Sequence, residues 1–355
     1  MKSITTTDYA IHFNSECYNQ VNLHLKNCSY SKIFILVDEN THNYCLPQFL
    51  SKLETTVTLE IIEIESGEKN KTIDTCLGVW NVLSELEADR KSLIINLGGG
   101  VITDIGGFIA STFKRGISYI NVPTSLLAMV DASVGGKTGV DLGHLKNQIG
   151  VINVGEMVLI DTSFLNTLPN NQLRSGLAEM LKHGLIHNQA YWDNFDKSFS
   201  LKTDSLDKLI YESVLIKKEI VEKDPKEDNL RKTLNYGHTL GHAIETYFLS
   251  HPEKEDLLHG EAVAIGMILA TYLSYELLDF DKTKCDLIKD KIISIYGNID
   301  FKDTDILPII DLLKFDKKNE HGNINFVLLH DIGKTQVNCK VSNDLIFRAF
   351  EYYSA

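Results

Sequence analysis

The sequence predicts two domains, an α/β domain followed by a mainly α-helical domain. Its 355 residues exceed the length of one typical domain. Short apolar runs alternate with helix-like stretches up to residue 168, whereas the apolar spacing is mostly helical from residue 172 to residue 278. We therefore expect an α/β domain over residues 1–168 and a helical domain over residues 169–355.

Five short apolar runs in the first half are strand candidates. They lie at residues 33–37, 59–64, 93–97, 119–122 and 158–160. Helical patterns separate several of them, most clearly over residues 72–86 and 104–113. Strands and helices in alternation favour a parallel sheet covered by helices. A late pair of runs, at residues 325–329 and 336–341, predicts a small hairpin.

The composition is that of a globular protein with an acidic surface. Hydrophobic residues make up 43% of the chain, and 35 Lys and Arg stand against 48 Asp and Glu, a formal charge of −13. This balance argues against a nucleic-acid-binding or membrane-binding surface, although a local basic pocket stays compatible with it. The sequence has no apolar run near the roughly 18 residues of a membrane helix and no signal-peptide-like start. The six cysteines form no Cys-x-x-Cys pair, so we expect reduced thiols and a cytoplasmic protein.

A glycine-rich loop over residues 96–104 leaves one predicted strand and enters a predicted helix. Gly98, Gly99 and Gly100 allow the backbone to approach a phosphate, which free N–H groups at a helix N-terminus can bind. The spacing is not Gly-x-Gly-x-x-Gly, because Thr103 stands where the last glycine would be. For this loop alone, a tight structural turn remains the alternative.

Two further loops support a dinucleotide site at the same end of the predicted sheet. Asp38, with Asn40 behind it, follows the first predicted strand, where a carboxylate can accept ribose hydroxyls. Residues 66–71 follow the second strand and combine a glycine with charged side chains. Each loop can also be a solvated turn. Three such loops at the carboxyl ends of parallel strands nevertheless favour a dinucleotide crevice.

The segment at residues 135–138 looks like the end of a P-loop. Asp131 stands where the first glycine of that motif belongs, so a nucleotide triphosphatase is disfavoured. Lys137 can still hold a substrate phosphate or carboxylate as a point charge. Lys146 and Asn147 can serve the same pocket; as an alternative, both lysines are surface charges.

The helical half carries a candidate metal site. His238 and His242 lie at i, i+4 on one helix face, His259 begins another helical stretch, and Glu179 lies in an otherwise apolar one. Three imidazoles and a carboxylate suit a catalytic zinc or cobalt ion with an open coordination position. A satisfied core histidine pair is the alternative, but an unpaired buried carboxylate is costly. Arg231 could bring a cation to an anionic substrate. From the residues alone, four lysines are interpreted as solvated: Lys217, Lys218, Lys317 and Lys318.

Several long motifs identify a family. They are residues 98–104, residues 123–138, the pair Lys146 and Asn147, residues 176–179, residues 237–242 and residues 258–264. With these motifs in order, the chain resembles the 3-dehydroquinate synthases of the shikimate pathway. The resemblance covers nearly the whole chain, from Asp38 to Gly333.

The resemblance implies an N-terminal Rossmann-like NAD-binding domain, a helical metal-binding domain and a homodimer. It implies a phosphate-eliminating lyase that converts 3-deoxy-D-arabino-heptulosonate 7-phosphate to 3-dehydroquinate and phosphate, on the route to chorismate and the aromatic amino acids. The implied course is transient oxidation by NAD, phosphate elimination, reduction and intramolecular aldol closure. The implied cofactors are NAD and a divalent metal, Zn²⁺ or Co²⁺, and the implied partner is a small sugar phosphate.

The resemblance also implies roles for individual residues. The metal ligands would be Glu179, His238 and His259. Substrate-contacting or catalytic residues would be Asp131, Lys137, Asn147, Lys182, Lys217, Arg231, Asn235, His242, Lys317 and Lys318, with Arg115 supplied across the dimer interface. NAD contacts would come from Asp38, Asn40, Ser66, Gly67, Glu68, Lys69, Asn70, Lys71, Gly100, Val101, Ile102, Thr103, Asp104, Thr124, Ser125, Lys137, Lys146, Phe164, Leu165, Asn166, Thr167 and Leu168.

Departures from the family pattern are small, and three alternatives stay open. Ser125 replaces a common threonine, Thr103 replaces a common glycine, and the segment between His242 and His259 is longer. Another sugar-phosphate cyclase would act on sedoheptulose 7-phosphate or glucose 6-phosphate. A metal-dependent polyol dehydrogenase of related fold would accumulate NADH, and a non-catalytic NAD-binding module would release no phosphate.

Overall fold

The computed structural model describes residues 1–143, 145–195, 201, 203–251, 253–313 and 324–355. The chain divides into two compact units, Met1–Pro169 with Lys202–Lys218 and Asn170–Leu201 with Glu219–Ala355. The first unit is α/β and the second is mostly helical, so the predicted fold class is confirmed. The division into two continuous domains at residue 168 stays a prediction. It did not include the return of Lys202–Lys218 to the first unit.

A seven-stranded sheet forms the centre of the first unit. The strands of this unit are β1 (Ile4–Thr5), β2 (Ala10–Phe13), β3 (Ile33–Asp38), β4 (Leu59–Ile64), β5 (Leu93–Gly98), β6 (Ser118–Pro123), β7 (Lys137–Leu142), β8 (Leu145–Ile152) and β9 (Met157–Ile160). The sheet has the order β1-β2-β9-β6-β5-β3-β4, and only the β1–β2 pair in it is antiparallel. Strands β7 and β8 form a separate antiparallel hairpin.

The α-helices are distributed over both units. In chain order they are α1 (Ser15–Asn27), α2 (Glu39–Tyr44), α3 (Leu46–Leu50), α4 (Ile73–Glu85), α5 (Gly100–Thr112), α6 (Asn170–His187), α7 (Gln189–Asp193), α8 (Thr203–Lys223), α9 (His238–Ser250), α10 (His259–Leu278), α11 (Lys282–Tyr296), α12 (Asp303–Leu312) and α13 (Asn343–Ser354). The second unit also contains the predicted hairpin, formed by β10 (Phe326–Asp331) and β11 (Lys334–Cys339).

The strands predicted from apolar runs are β3, β4, β5, β6 and β9, and every end lies within one residue of the prediction. All six residues of β5 and the first five of β3 are buried, because helices cover both faces of a parallel sheet. The sequence did not predict β7 and β8. Most of β8 is exposed, so its residues carry no continuous apolar run.

The direction in which the chain builds the sheet reverses between β3 and β5. After β3 the chain adds β4 at one edge, and after β5 it adds β6 on the other side. Ligands of open α/β sheets bind at such a point, in the crevice outside the carboxyl ends of the strands. Asp38 ends β3 and Gly98 ends β5, so both residues border this crevice.

Helices α9 and α10 are in close contact in the second unit. A Cβ atom at Gly266 of α10 would lie 2.0 Å from the carbonyl oxygen of Gly237, the residue that precedes α9. Only a glycine therefore allows the two backbones to approach so closely. This approach brings the histidines at the start of α9 beside His259, the first residue of α10.

Helix α10 is long and apolar enough, by length and composition, to cross a membrane. The sequence has no uninterrupted apolar run of this length. Helix α10 is nevertheless apolar enough on average, because its two glutamates, Glu261 and Glu276, lie near its ends. However, 67% of its most apolar window is buried inside the protein. This burial is typical of the central helix of a globular unit.

Candidate active site

The first unit presents a helix N-terminus at the switch point of its sheet. A Cβ atom at Gly98 would lie 2.5 Å from Cβ of Ile102, so glycine is required where β5 meets α5. The Thr103 hydroxyl donates to the carbonyl oxygens of Gly99 at 3.3 Å and Gly100 at 3.1 Å. Threonine in place of the last glycine is thus accommodated within the first turn. The N–H groups of such a first turn are suited to binding an anion, as the sequence predicts.

Asp38 and the loop after β4 are joined through a residue that the sequence did not single out. Asp38 caps α2, because its Oδ1 accepts the N–H of Thr41 at 2.7 Å. The next residue, Glu39, accepts the backbone N–H of Ser66 at 2.8 Å and its hydroxyl at 2.5 Å. Glu39 therefore links the loops at the ends of β3 and β4. A glutamate directly after the predicted strand is the signal that could have revealed it.

Lys71 lies at the centre of a buried polar network in the first unit. Its ammonium donates to Oδ2 of Asp104 at 2.6 Å and to Oδ1 of Asn147 at 2.7 Å. Burial lowers the pKa of Lys71, but Asp104 and Glu68 raise it by more, so the pKa lies above its ordinary value. Burial also raises the pKa of Asp104, despite the lysine beside it. The structure thus brings predicted NAD-binding residues against a predicted substrate-binding residue.

Two more contacts extend this network. Nζ of Lys146 lies 3.5 Å from a carboxylate oxygen of Glu68. The backbone N–H of Asn147, whose φ is 52°, donates to Oδ1 of Asp141 at 2.6 Å. Asp141 thereby holds Asn147 in a left-handed conformation. The sequence did not indicate Asp141, because its role depends on the unpredicted β7–β8 hairpin.

Lys217 is buried, with 6% of its surface exposed, so its interpretation as a solvated lysine is wrong. Its ammonium donates to the carboxylate of Asp131 at 2.7 Å and to the carbonyl oxygen of the same residue. This pair joins α8 to the segment that precedes β7 within the first unit. Its two residues are among those that the family resemblance assigns to the substrate.

Other predicted residues of the first unit lie away from these contacts. Ile102, Phe164 and Leu165 are buried, so only their backbone atoms can contribute to a ligand site. Arg115 is exposed and has a φ of 71°, between Lys114 at 49° and Gly116 at 110°. Lys317 and Lys318 lie outside the described residues.

The second unit brings its predicted metal ligands together. Oε1 of Glu179, a residue with no exposed surface, lies 3.2 Å from Nε2 of His238 and 3.8 Å from Nε2 of His259. Oε2 of the same carboxylate accepts a hydrogen bond from Lys182. Nitrogens of His238, His242 and His259 all lie within 4.8 Å of one another. The site therefore contains the three imidazoles and the carboxylate that the sequence predicts.

The donor atoms fit a tetrahedral metal ion. Ligand distances of about 2.0–2.2 Å place the ligand atoms of such an ion roughly 3.3 Å apart. The 3.2 Å distance from Glu179 to His238 matches this spacing, and the 3.8 Å distance to His259 is longer. The buried Oε1 accepts no hydrogen bond from the described residues. Burial alone would raise the pKa of Glu179, but Lys182 and His238 hold the pKa well below its ordinary value. The carboxylate is therefore ionised and available as a ligand.

Each of two imidazoles is held through its Nδ1 atom. Nδ1 of His238 lies 3.1 Å from the carbonyl oxygen of Tyr236, and Nδ1 of His259 lies 3.2 Å from Oε2 of Glu245. Burial lowers the pKa of His259, but Glu245 and Glu179 raise it to about 9. Glu245 was not among the predicted site residues. Its position seven residues after His238 in an apolar helix is the signal that could have revealed it.

The start of α10 is fixed to α6. The N–H of Gly260 donates to the hydroxyl of Ser175 at 3.0 Å. Glu261 accepts the N–H of Leu258 at 3.0 Å and lies 3.4 Å from Arg174. These contacts set the position of the first turn of α10, which carries His259.

Arg231 and Asn235 are held rigidly in the same unit. Arg231 has 2% of its surface exposed, and its guanidinium donates to the carbonyl oxygen of Pro225 at 2.9 Å. The side-chain amide of Asn235 donates to Oε1 of Glu227 at 2.9 Å. A cation and an amide in fixed positions suit recognition of an anionic oxygen group.

The architecture is shared with two solved cyclases. One is 2-epi-5-epi-valiolone synthase from Streptomyces hygroscopicus subsp. jinggangensis with NAD⁺ and Zn²⁺ bound, with a TM-score of 0.85, 24% identity and coverage of 100% of this chain and 99% of that one. The other is 2-deoxy-scyllo-inosose synthase complexed with carbaglucose-6-phosphate, NAD⁺ and Co²⁺, with a TM-score of 0.83, 24% identity and 99% coverage of both chains. The fold is therefore that of a class of proteins with an α/β unit and a helical unit, and the helical unit of this chain carries a candidate metal site.

Sequence comparison identifies the family within this class. The model of the 3-dehydroquinate synthase N-terminal domain matches residues 61–175, and that of the C-terminal domain matches residues 176–319. A 3-dehydroquinate synthase from Parabacteroides distasonis is 41% identical over 334 residues, which cover 93% of either chain. The chain belongs to the 3-dehydroquinate synthase family.

Proposed function

We propose that the protein converts 3-deoxy-D-arabino-heptulosonate 7-phosphate to 3-dehydroquinate and phosphate, with NAD regenerated in each cycle. The observation that carries this proposal is the carboxylate–imidazole cluster, in which Oε1 of Glu179 faces Nε2 of His238 and of His259. Membership of the 3-dehydroquinate synthase family supports the choice of substrate.

Glu179, His238 and His259 would hold the divalent metal in the second unit. When bound, this ion supplies a Lewis acid and NAD supplies a reversible hydride acceptor. Lys182 neutralises the second oxygen of Glu179 and so keeps a negative charge tolerable in a fully buried position. His242 lies beside the ligands and would contact the substrate.

The first unit supplies the proposed NAD site. The N-terminus of α5 would bind the pyrophosphate, and Asp38 at the end of β3 would accept ribose hydroxyls. Lys71 holds the side chains of Asp104 and Asn147 in fixed positions beside this crevice. The crevice is thus organised before any ligand binds, which lowers the entropic cost of binding.

Fixed cations and amides would hold the anionic groups of the substrate. In the second unit, Arg231 and Asn235 are anchored by Pro225 and Glu227. In the first unit, Lys146 and Asn147 belong to the Lys71 network. Fixed groups of this kind position a bound anion, and positioning is a large part of a catalytic effect. They also explain how a protein with a formal charge of −13 can bind an anion.

We further propose a cytoplasmic homodimer to which Arg115 contributes from the neighbouring subunit. Arg115 is exposed on a turn with three consecutive positive φ angles. A non-glycine backbone in this region is strained, and strained positions persist where surrounding structure or function maintains them. A charge held outward in this way is suited to an interface.

Phosphate release from 3-deoxy-D-arabino-heptulosonate 7-phosphate tests the reaction. The assay contains NAD and either Zn²⁺ or Co²⁺, and it also records NADH absorbance and dehydroquinate after its dehydration. We expect phosphate and dehydroquinate in equal amounts without net NADH. Turnover of sedoheptulose 7-phosphate or glucose 6-phosphate instead would reject the substrate. Net NADH would indicate a polyol dehydrogenase, and no phosphate from any sugar phosphate would indicate a binding module.

A further inference from the structure

The buried carboxylate of Glu245 has no role in the reaction as described so far. Glu245 lies on α9 with 3% of its surface exposed, among the apolar residues of the helix. An ionised carboxylate in such a place is costly unless it is hydrogen-bonded. Its Oε2 lies 3.2 Å from Nδ1 of His259, on the neighbouring helix α10.

We propose that Glu245 is a positioning residue that holds the imidazole of His259 with Nε2 directed at the metal. This inference rests on the proposed metal site. Glu245 itself does not coordinate the ion in this arrangement, since its oxygen bonds to the opposite nitrogen of the ring.

The hydrogen bond selects one of the two ring orientations of His259. A carboxylate oxygen only accepts hydrogen bonds, so Nδ1 is the nitrogen that donates to Glu245, and Nε2 is the nitrogen directed at the proposed metal site. Nε2 of the same ring lies 3.8 Å from Oε1 of Glu179, on the side of the other ligands. A half turn of the ring about the Cβ–Cγ bond would put Cδ2 in the place of Nδ1 and Cε1 in the place of Nε2. It would therefore break the contact with Glu245 and move Nε2 away from Glu179. The carboxylate therefore stabilises the ring orientation that is productive for the metal.

His238 shows the same arrangement with a different partner. Its Nδ1 contacts the carbonyl oxygen of Tyr236 at 3.1 Å, and its Nε2 lies 3.2 Å from Oε1 of Glu179. Both proposed imidazole ligands thus present Nε2 and are held through Nδ1. For His238 the partner is a nearby backbone atom, whereas for His259 it is a side chain from another helix. Helix α9 therefore carries one ligand and orients a second one.

Metal binding measured on the full chain tests this inference separately from catalysis. The variants are Glu245→Ala and Glu245→Gln, and the probe is Co²⁺ titrated against a competing chelator dye, with the visible absorption of bound Co²⁺ as a second readout. We expect E245A to weaken Co²⁺ binding by roughly 10- to 100-fold. E245Q keeps an acceptor oxygen, so its loss of affinity is expected to be smaller.

Asp305→Asn is the matched control. Asp305 is also buried, with 4% of its surface exposed, and it accepts a hydrogen bond of 2.7 Å from Tyr247 of α9. D305N should lower the melting temperature of the metal-free protein and leave the Co²⁺ affinity unchanged. An equal loss of affinity in D305N, or an unchanged affinity in E245A, would overturn the inference while the metal site remains. A wild-type protein that binds no Co²⁺ would overturn the inference and the proposed metal dependence together.

Discussion

Lys71 shows how a single residue organises several loops of the first unit. It has 3% of its surface exposed and bonds to Asp104 of α5 and to Asn147 of β8. The sequence places it in a loop with several charges and gives no sign that it is buried. Its partners come from segments 33 and 76 residues away. Its role is therefore visible only in the folded chain.

Lys71→Met should strongly destabilise the first unit. The substitution keeps an unbranched side chain but leaves the carboxylate of Asp104 partly buried and unpaired, which typically costs about 3–5 kcal/mol. Urea unfolding at neutral pH measures the loss. Lys26→Met is the control, because Lys26 and Glu54 form an exposed ion pair and little change is expected. Similar losses in the two variants would contradict the prediction.

Asp161 provides a prediction of pH dependence. It is 5% exposed, and burial raises the pKa of its carboxyl, but hydrogen bonds from Ser163 and Tyr18 lower it by more, so the pKa lies below its ordinary value. A depressed pKa in the folded state stabilises the protein above the unfolded pKa of about 3.9, and the stabilisation is lost as the pH falls through the folded value. Asp161→Asn should therefore cost about 1–3 kcal/mol at pH 7.

The difference between D161N and the wild-type protein should stay nearly constant from pH 7 to about 4 and should narrow as the pH falls below 4. Urea unfolding curves at several pH values measure it. A gap that stays constant or widens below pH 4 would show that the charge of Asp161 is not the source of its contribution.

At the scale of elements, the close approach of α9 and α10 builds the proposed metal site. The histidines of α9 lie within a single turn of that helix, and His259 begins α10, so the cluster exists only if the two helices touch at these ends. Gly266 and Gly237 allow this approach. The packing of two helices thus controls the distances between ligands that are 21 residues apart in the chain.

Gly266→Ala should push α9 away from α10. The new Cβ would lie 2.0 Å from a backbone oxygen, which cannot move without shifting the helix. We expect a loss of about 1–3 kcal/mol of stability, as for other overpacked sites, together with weaker Co²⁺ binding. Gly78→Ala is the control, because Gly78 lies in α4 with nothing within 4 Å of the new atom. That variant should gain about 0.5–1 kcal/mol from helix propensity.

At the scale of the whole molecule, the proposed metal ligands come from three helices of the second unit. Glu179 lies on α6, His238 on α9 and His259 on α10. An ion bound by all three would bind the folded unit only, and binding to the folded state alone stabilises it. The stability of this unit should therefore depend on the metal concentration.

Removal of the metal should lower the melting temperature. At a metal concentration 100 times the dissociation constant, the expected stabilisation is about 2.7 kcal/mol. Calorimetry with a chelator, and again after Zn²⁺ or Co²⁺ is restored, measures the effect. His238→Ala should show no such dependence. The same metal-dependent rise in H238A would exclude this ligand set.

The sequence by itself determined the class of fold and the composition of the site. Strands such as β3 and β5 are buried on both faces, so their continuous apolar runs reveal them. The sequence also indicates the residues of the proposed metal site, because histidines at i, i+4 and a carboxylate in an apolar stretch together are unusual. Such signals depend only on residues that are close in the chain, so they can be recognised in the sequence without the structure.

Only the tertiary structure decided which of these residues touch and what holds them. The β7–β8 hairpin and the return of Lys202–Lys218 to the first unit leave little trace in the periodicity of the chain. Glu245 and Asp141 acquire their roles through His259 and Asn147, which come from other elements. The physical reason is that a hydrogen bond depends on distances of a few tenths of an ångström, which packing sets and local sequence patterns do not record.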